Sequence, residues 1–360
     1  MYLFKDSFLD FERNLETLIN YLDMVEEQAL LNKKLSKDIN YENLKVDFPE
    51  IVNFFEKTSN ISYRIFEYSS IIISLYGSLE HYIENSILEY LEILNEKVES
   101  YKSIPKQIIK THFELSANLI NNLKYPKYEL LTSQEEIIKN MNSCIIDSFS
   151  QYKINRLAFI HHTDNFRKDA INNFYSKVGI TNIISMISQD KNWKAFIKET
   201  GEDSNEEFYI LKDLVERRNR ISHGSEEEEI LSFTIMKQYI KYISFMVKLL
   251  NEILQIELIT NLLVNNSGLI DLGQPLTCFP VKTIKSKFIG IEVKNYTFSI
   301  GDFIIVKSNR SQKISLVKIN SIQVNRSEKE SITIEEELLK IAFGLNKQVH
   351  IDDNIYVLEK

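Results

Sequence analysis

The chain has 360 residues, with 43 Lys and Arg against 51 Asp and Glu, and a formal net charge of −8. That balance excludes a protein coated in positive charge for general nucleic-acid binding but leaves room for a local basic groove; 44% apolar and 11% aromatic content exclude wholesale disorder. Only 9 Gly and 5 Pro predict a mostly helical chain, and neither G-x-G-x-x-G nor G-x-x-x-x-G-K occurs, which removes the Gly-rich dinucleotide and P-loop binders.

Lys5, Asp6, Asp10, Glu12 and Arg13 interrupt the first turns, so no secretory signal is expected. Phe8, Phe11, Leu15, Leu18, Leu22 and Val25 recur every three or four residues and predict an amphipathic helix. A long helix is predicted over 61–98, with Ile72, Leu75, Leu79, Tyr82, Ile83 and Ile87 on one side. The most apolar stretch, 69–83, falls short of the ~20 residues a membrane span needs and already carries Glu80 and His81. The expectation is therefore a cytoplasmic protein with no membrane partner. Ser133 with Glu136, Ser204 with Glu207 and Ser225 with Glu228 have the spacing of capping boxes. Residues 205–223 predict a further helix with Phe208, Leu211, Leu214 and Val215 buried, stopped by Gly224 in a left-handed conformation.

Composition changes near 265–280. Gly268, Gly273, Gly290, Gly301 and Gly344 all fall after residue 267, and residues 282–326 carry nine basic side chains against Glu292 and Asp302. The period drops to two in Phe288-Ile289-Gly290-Ile291-Glu292-Val293, Phe303-Ile304-Ile305-Val306, Ser315-Leu316-Val317-Lys318-Ile319 and Ile355-Tyr356-Val357-Leu358. These runs predict a small barrel, interrupted by a short helix over 334–340. The expected fold class is α+β in separate domains: an all-α helical domain, 1–265, then a small C-terminal β-barrel, 266–360. Cys144 and Cys278 exclude a disulfide scaffold or a thiolate zinc site and read as buried free thiols. His161-His162 has no partnering Cys or spaced carboxylates and Asp352-Asp353 reads as a turn, so no metal site and no cofactor are expected.

The stretch that carries chemistry is Arg217-Arg218-Asn219-Arg220-Ile221-Ser222-His223. His223 falls in the last helical turn, where carbonyl ends favour a cation. Imidazole is suited to taking and returning a proton near neutral pH, and guanidinium offers a phosphate a fixed fork of donors. RNA brings its own nucleophile, the 2′-hydroxyl. A base takes its proton, the oxygen attacks phosphorus, and an acid protonates the departing 5′-oxygen, leaving 2′,3′-cyclic phosphate and 5′-hydroxyl ends. Arg218 and His223 are five residues apart, about 140° around a helix, and share no face. Asn219 and His223 are four apart and do, so Asn219 can orient the imidazole. One protomer also offers one titrating group where the reaction needs base and acid. Both difficulties ease if two copies pair across a two-fold axis.

Arg218, four residues and His223, with Asn219 directly after the arginine, resembles the signature of HEPN-domain ribonucleases. Leu75-Tyr76-Gly77-Ser78-Leu79-Glu80-His81-Tyr82-Ile83 and Thr163-Asp164-Asn165-Phe166-Arg167-Lys168-Asp169 resemble the RiboL-PSP branch, and the resemblance spans roughly 60–255. It implies an all-α HEPN fold, a homodimer and metal-independent RNA cleavage in bacterial defence or toxin–antitoxin systems, with a cognate antitoxin or defence protein as partner. Arg218, His223 and Asn219 take the motif's catalytic places and Glu80 matches a polar position facing them. Arg217 and Arg220 are expected at the surface beside the motif as substrate-binding cations. Ser225 stands where nucleotide-modified members carry Tyr, so that form of control is not expected. Ser299-Ile300-Gly301-Asp302-Phe303, Val317-Lys318-Ile319-Asn320-Ser321-Ile322-Gln323 and Asp352-Asp353-Asn354-Ile355-Tyr356 resemble the second-domain barrel of translation elongation factors, which implies an appended module that docks RNA, a ribosomal ligand or a regulatory partner. The residues alone leave two other readings open: a non-catalytic RNA- or nucleotide-binding module, and an adaptor in a defence complex. Glu226 to Glu229 complement a helix N-terminus or repel RNA. The basic run 282–326 docks RNA or is an ordinary barrel surface.

Overall fold

The computed structural model describes residues 4–35, 37, 46–58, 60–146, 151–200, 207–224, 229–279 and 288–359. Its first part is helical: α1 (Lys5–Leu35), α2 (Pro49–Thr58), α3 (Ile61–Lys97), α4 (Lys106–Asn122), α5 (Pro126–Glu129), α6 (Gln134–Ile145), α7 (Lys168–Ser176), α8 (Ile183–Gln189), α9 (Lys191–Thr200), α10 (Tyr209–Ser222) and α11 (Phe233–Asn265). The stripes read from the sequence are the buried ones. Phe8, Phe11, Leu15, Leu18, Leu22 and Val25 of α1 face inward, as do Ile72, Leu75, Leu79, Tyr82, Ile83 and Ile87 of α3. Each large apolar side chain so buried contributes roughly 1.5–3 kcal/mol, and they place α3 at the centre, packed against α1, α10 and α11.

Helix ends follow local chemistry. Asn60 starts α3 by accepting from Ser62 N–H at 2.9 Å. Ser133 starts α6 by accepting from Glu136 N–H at 3.2 Å. The Glu136 carboxylate instead takes Lys153 at 3.3 Å, so an ion pair replaces the reciprocal half of the expected box. Ser204, Ser225 and Glu228 lie outside the described residues, as do Glu226 and Glu227. The 33-residue α11 was not anticipated: it is apolar around much of its circumference and buries side chains from Met236 to Leu262, so no single stripe marks it.

The second part is strand-rich: β1 (Leu269–Gly273), β2 (Thr277–Phe279), β3 (Phe288–Val293), β4 (Tyr296–Ser299), β5 (Phe303–Lys307), β6 (Ile314–Val324), β7 (Ser327–Lys329), β8 (Ser331–Ile334), β9 (Leu339–Leu345) and β10 (Asn354–Leu358). An antiparallel path runs β1-β10-β5-β6-β9-β3-β2, with β7 on β6, and β4 pairs β8. The small barrel expected here is a half-barrel, curved around Ile289, Ile291, Phe298, Ile304, Val317, Ile319, Phe343 and Ile355. All four predicted strand runs are strands. The short helix expected over 334–340 is not: Ile334 ends β8 and Leu339-Lys340 begin β9, pairing with Val293 and Glu292. Ile334 and Leu339 pack on the half-barrel core from the ends of two strands, Leu338 between them is exposed, and cross-strand pairing overrides local helix propensity.

The two parts touch where α11 gives way to β1. Gly268 has φ +65, and a Cβ there would meet Lys97 Cβ at 2.8 Å, so only glycine lets the chain pass the end of α3 so closely. Lys97 Nζ donates to Glu359 O at 3.1 Å, and Leu269 and Leu358 pack on the helical core.

Candidate nucleic-acid site

The site is built on the last two turns of α10. Ile210, Leu211, Leu214 and Val215 fix its inner face in the core, which leaves the following residues to divide between two sides. Arg217 turns inward. It is 7% exposed, its Nε donates to Asp213 Oδ2 at 2.5 Å, and its Nη1 donates to Tyr68 Oη at 2.8 Å and Glu229 O at 3.0 Å. Tyr239 donates its hydroxyl proton to the same Asp213 oxygen at 2.5 Å. Burial works against the Arg217 charge, but the hydrogen bonds to Asp213 and Tyr68 outweigh it and raise the guanidinium above its ordinary pKa. The surface cation expected at Arg217 is thus a buried structural one, because Asp213 sits one turn earlier on the same face.

Arg218 turns the other way and is half-buried. Its guanidinium lies 5.0 Å from the centroid of the Tyr76 ring. Its Nη1 donates to Asn165 Oδ1 at 3.2 Å and to Asn219 Oδ1 at 3.3 Å, and Asn165 Nδ2 donates to Asn219 Oδ1 at 3.0 Å. None of these partners carries a negative charge, and among the described residues no carboxylate forms an ion pair with the guanidinium. Tyr76 Oη accepts from Phe166 N–H at 3.1 Å, and its single proton lies between Asn165 Oδ1 at 3.3 Å and Glu80 Oε1 at 3.5 Å. Burial pushes the Tyr76 hydroxyl up to about 12, so it stays neutral as a hydrogen-bond relay.

Beyond Glu80 the polar chain continues. His162 Nε2 is 3.9 Å from Glu80 Oε1 and 2.9 Å from Glu84 Oε1, and Lys127 Nζ reaches the same Glu84 oxygen at 2.5 Å. Burial alone would raise the Glu84 carboxyl, but the hydrogen bonds and charges of His162 and Lys127 overcome it and hold the group below its ordinary value. The fold therefore brings Glu84 to His162 from 78 residues away. Below the loop, Lys177 Nζ donates to Phe159 O at 3.2 Å and His161 O at 2.7 Å, and burial lowers its ammonium to about 8.

His223 caps α10. Its N–H donates to Asn219 O at 3.0 Å, its side chain is exposed, and Gly224 follows with φ +70, the left-handed stop the sequence predicts. No described side chain partners its imidazole, and Asn219 gives its side-chain oxygen to Asn165 and Arg218 rather than to His223. Arg220 is exposed on the same last turn. The fold thus gathers Arg218, Asn219 and Glu80 into one network, leaves His223 at its rim, and sends Arg217 to the opposite side. Tyr76 and Asn165 are the members that residue-by-residue reasoning missed, although both lie in the segments that carry the family resemblance. Cys144 is half-buried and donates to Lys153 O at 3.4 Å.

Among the described residues, no group of three or more His, Cys, Asp or Glu is placed to hold a metal ion, and no helix is long and apolar enough to cross a membrane. The site thus sits on a helical bundle, with an oriented arginine and a capping histidine in the last turns of one helix. The RiboL-PSP-HEPN family model matches residues 40–255, more than half of the chain, and the chain belongs to that family. HEPN domains are generally associated with ribonucleases and RNA binding, and they often dimerise. No curated protein and no solved structure matches the chain significantly.

Proposed function

We propose that this protein is a metal-independent endoribonuclease that works as a homodimer, a toxin or anti-phage effector in the cytoplasm. Residues 1–265 form its nuclease domain, and 266–360 an appended module. The observation that carries this reading is the state of Arg218: oriented by two asparagines and an aromatic face, with no carboxylate among the described residues paired to it. Such a guanidinium is prepared for an anion that arrives from outside, and its fork suits the two non-bridging oxygens of a phosphodiester.

His223 takes the 2′-hydroxyl proton. The 2′-oxygen bonds to phosphorus, Arg218 stabilises the charge that builds on the non-bridging oxygens, and the P–O5′ bond breaks as an imidazolium returns a proton to the 5′-oxygen. Asn219 and Glu80 support Arg218, directly and through Tyr76. His223 and Arg218 of one chain do not meet, so a second copy completes the pocket and supplies a second imidazole. Purified protein incubated with total RNA in EDTA is expected to produce 2′,3′-cyclic phosphate ends, and His223→Ala none. Loss of one proton-transfer group costs about 10²–10⁴-fold.

The separation of Arg218 from the exposed His223 also favours a second reading, a HEPN module that binds RNA or a nucleotide without cutting it. Under it, Arg218→Ala abolishes binding and no preparation yields new RNA ends.

A further inference from the structure

We infer that His162, clamped by Glu84, is a positioning residue for Arg218. His162 lies in the loop before α7 and its side chain is 17% exposed. Both its ring nitrogens face acceptors: Nε2 is 2.9 Å from Glu84 Oε1 and Nδ1 is 3.0 Å from Asp164 O. The ring therefore bridges α3, through Glu84, to the loop backbone at Asp164. The next residue in that loop is Asn165, which holds Arg218 at 3.2 Å and Asn219 at 3.0 Å. Phe166 reinforces the placement: its ring centroid lies 4.4 Å from that of His162, and its N–H donates to Tyr76 at 3.1 Å.

The connection runs from Lys127 and Glu84 through His162 and the Asp164 carbonyl to Asn165 and the guanidinium. Among the described residues, the other titratable groups that face His162 are Glu80 at 3.9 Å, the neighbouring His161 and, through Glu84, Lys127. The Phe174 ring closes another side at 5.7 Å. Without the clamp, the loop keeps its contacts to Tyr76 but loses its second tie to α3, and Asn165 no longer fixes the direction of the Arg218 fork. Arg218 keeps its charge but not its aim, and a displacement of about 1 Å from productive geometry can cost about 10²-fold in rate.

The activity arm of the test rests on the nuclease reading; the spectroscopic arm does not. Full-length protein labelled with ¹⁵N-arginine gives one Nε–Hε signal per arginine, and the Arg218 signal is the one lost in Arg218→Lys. We expect His162→Ala and Glu84→Gln to move and broaden that signal as Asn165→Ala does, while the Arg217 signal stays in place and reports an intact bundle. In cleavage, the same variants lower kcat by about 10–100-fold with KM within about twofold, and added imidazole restores His162→Ala but not Glu84→Gln. If His162→Ala disturbs Arg217, Glu84→Gln and His162→Gln decide the matter. An Arg218 signal that is unmoved by them but shifted by Asn165→Ala overturns the inference. Wild-type protein that cuts no RNA overturns the nuclease reading, and the Arg218 signal still decides the clamp.

Discussion

Arg217 and Arg218 are neighbours in sequence and opposites in environment. On the inner face of α10, Arg217 is buried and answered by Asp213, Tyr68 and the Glu229 carbonyl. On the outer face, Arg218 is answered by two asparagines and an aromatic ring. The first arginine serves the fold, because a buried guanidinium without its carboxylate is costly. The second is held by neutral groups, which is why it is the arginine we propose meets a ligand. Proximity of cations in sequence therefore does not make a substrate-binding cluster; what matters is whether the fold supplies each one with a carboxylate.

The largest effect that can test this contrast is on stability. Asp213→Ala leaves Arg217 buried and unpaired and is expected to cost about 3–5 kcal/mol in chemical denaturation, whereas Arg218→Ala should change stability by less than about 1 kcal/mol. Equal losses would erase the distinction. Next comes activity: Arg218→Ala is expected to lower cleavage by about 10²–10³-fold. Tyr76→Phe sharpens the outer face further, because it strands the Phe166 N–H and removes the link between Asn165 and Glu80. A loss of about 1–2 kcal/mol is expected in thermal or denaturant unfolding, with reduced cleavage at unchanged RNA affinity.

The smallest effect expected is the pH dependence contributed by Glu84. Its folded pKa is lowered, so its contribution to stability is present at neutral pH and is lost as pH falls through that folded value, below the ordinary carboxylate range. Denaturation of wild type and Glu84→Gln should therefore differ most near neutrality and converge in acid. A gap that stays constant with pH would mean that Glu84 is not ionised in the fold.

Much of this was legible in the residues. Long helices with one apolar face, such as α1 and α3, announce themselves by periodicity, and Gly224 marks the end of α10 because few other residues accept its backbone conformation. The half-barrel strands are legible where alternation is strong, but 334–340 is not, since Ile334 and Leu339-Lys340 take strand form by pairing with β4 and β3, far away in sequence. In the site, the motif pointed to Arg218, Asn219 and His223. The places of Tyr76, Asn165 and His162 in the network come from contacts across 54 to 90 residues, which no local spacing reveals. The same holds for Arg217: its surface placement was a reasonable expectation for an arginine until Asp213 and Tyr68 were seen to enclose it.

The central claim is that the Arg218 pocket drives attack by RNA on itself. It is tested most directly by the single-turnover rate on an oligoribonucleotide and on its 2′-O-methyl counterpart, both in EDTA. The account predicts cyclic-phosphate products from the first and no cleavage of the second, which lacks the nucleophile. Cleavage of both at similar rates would contradict it.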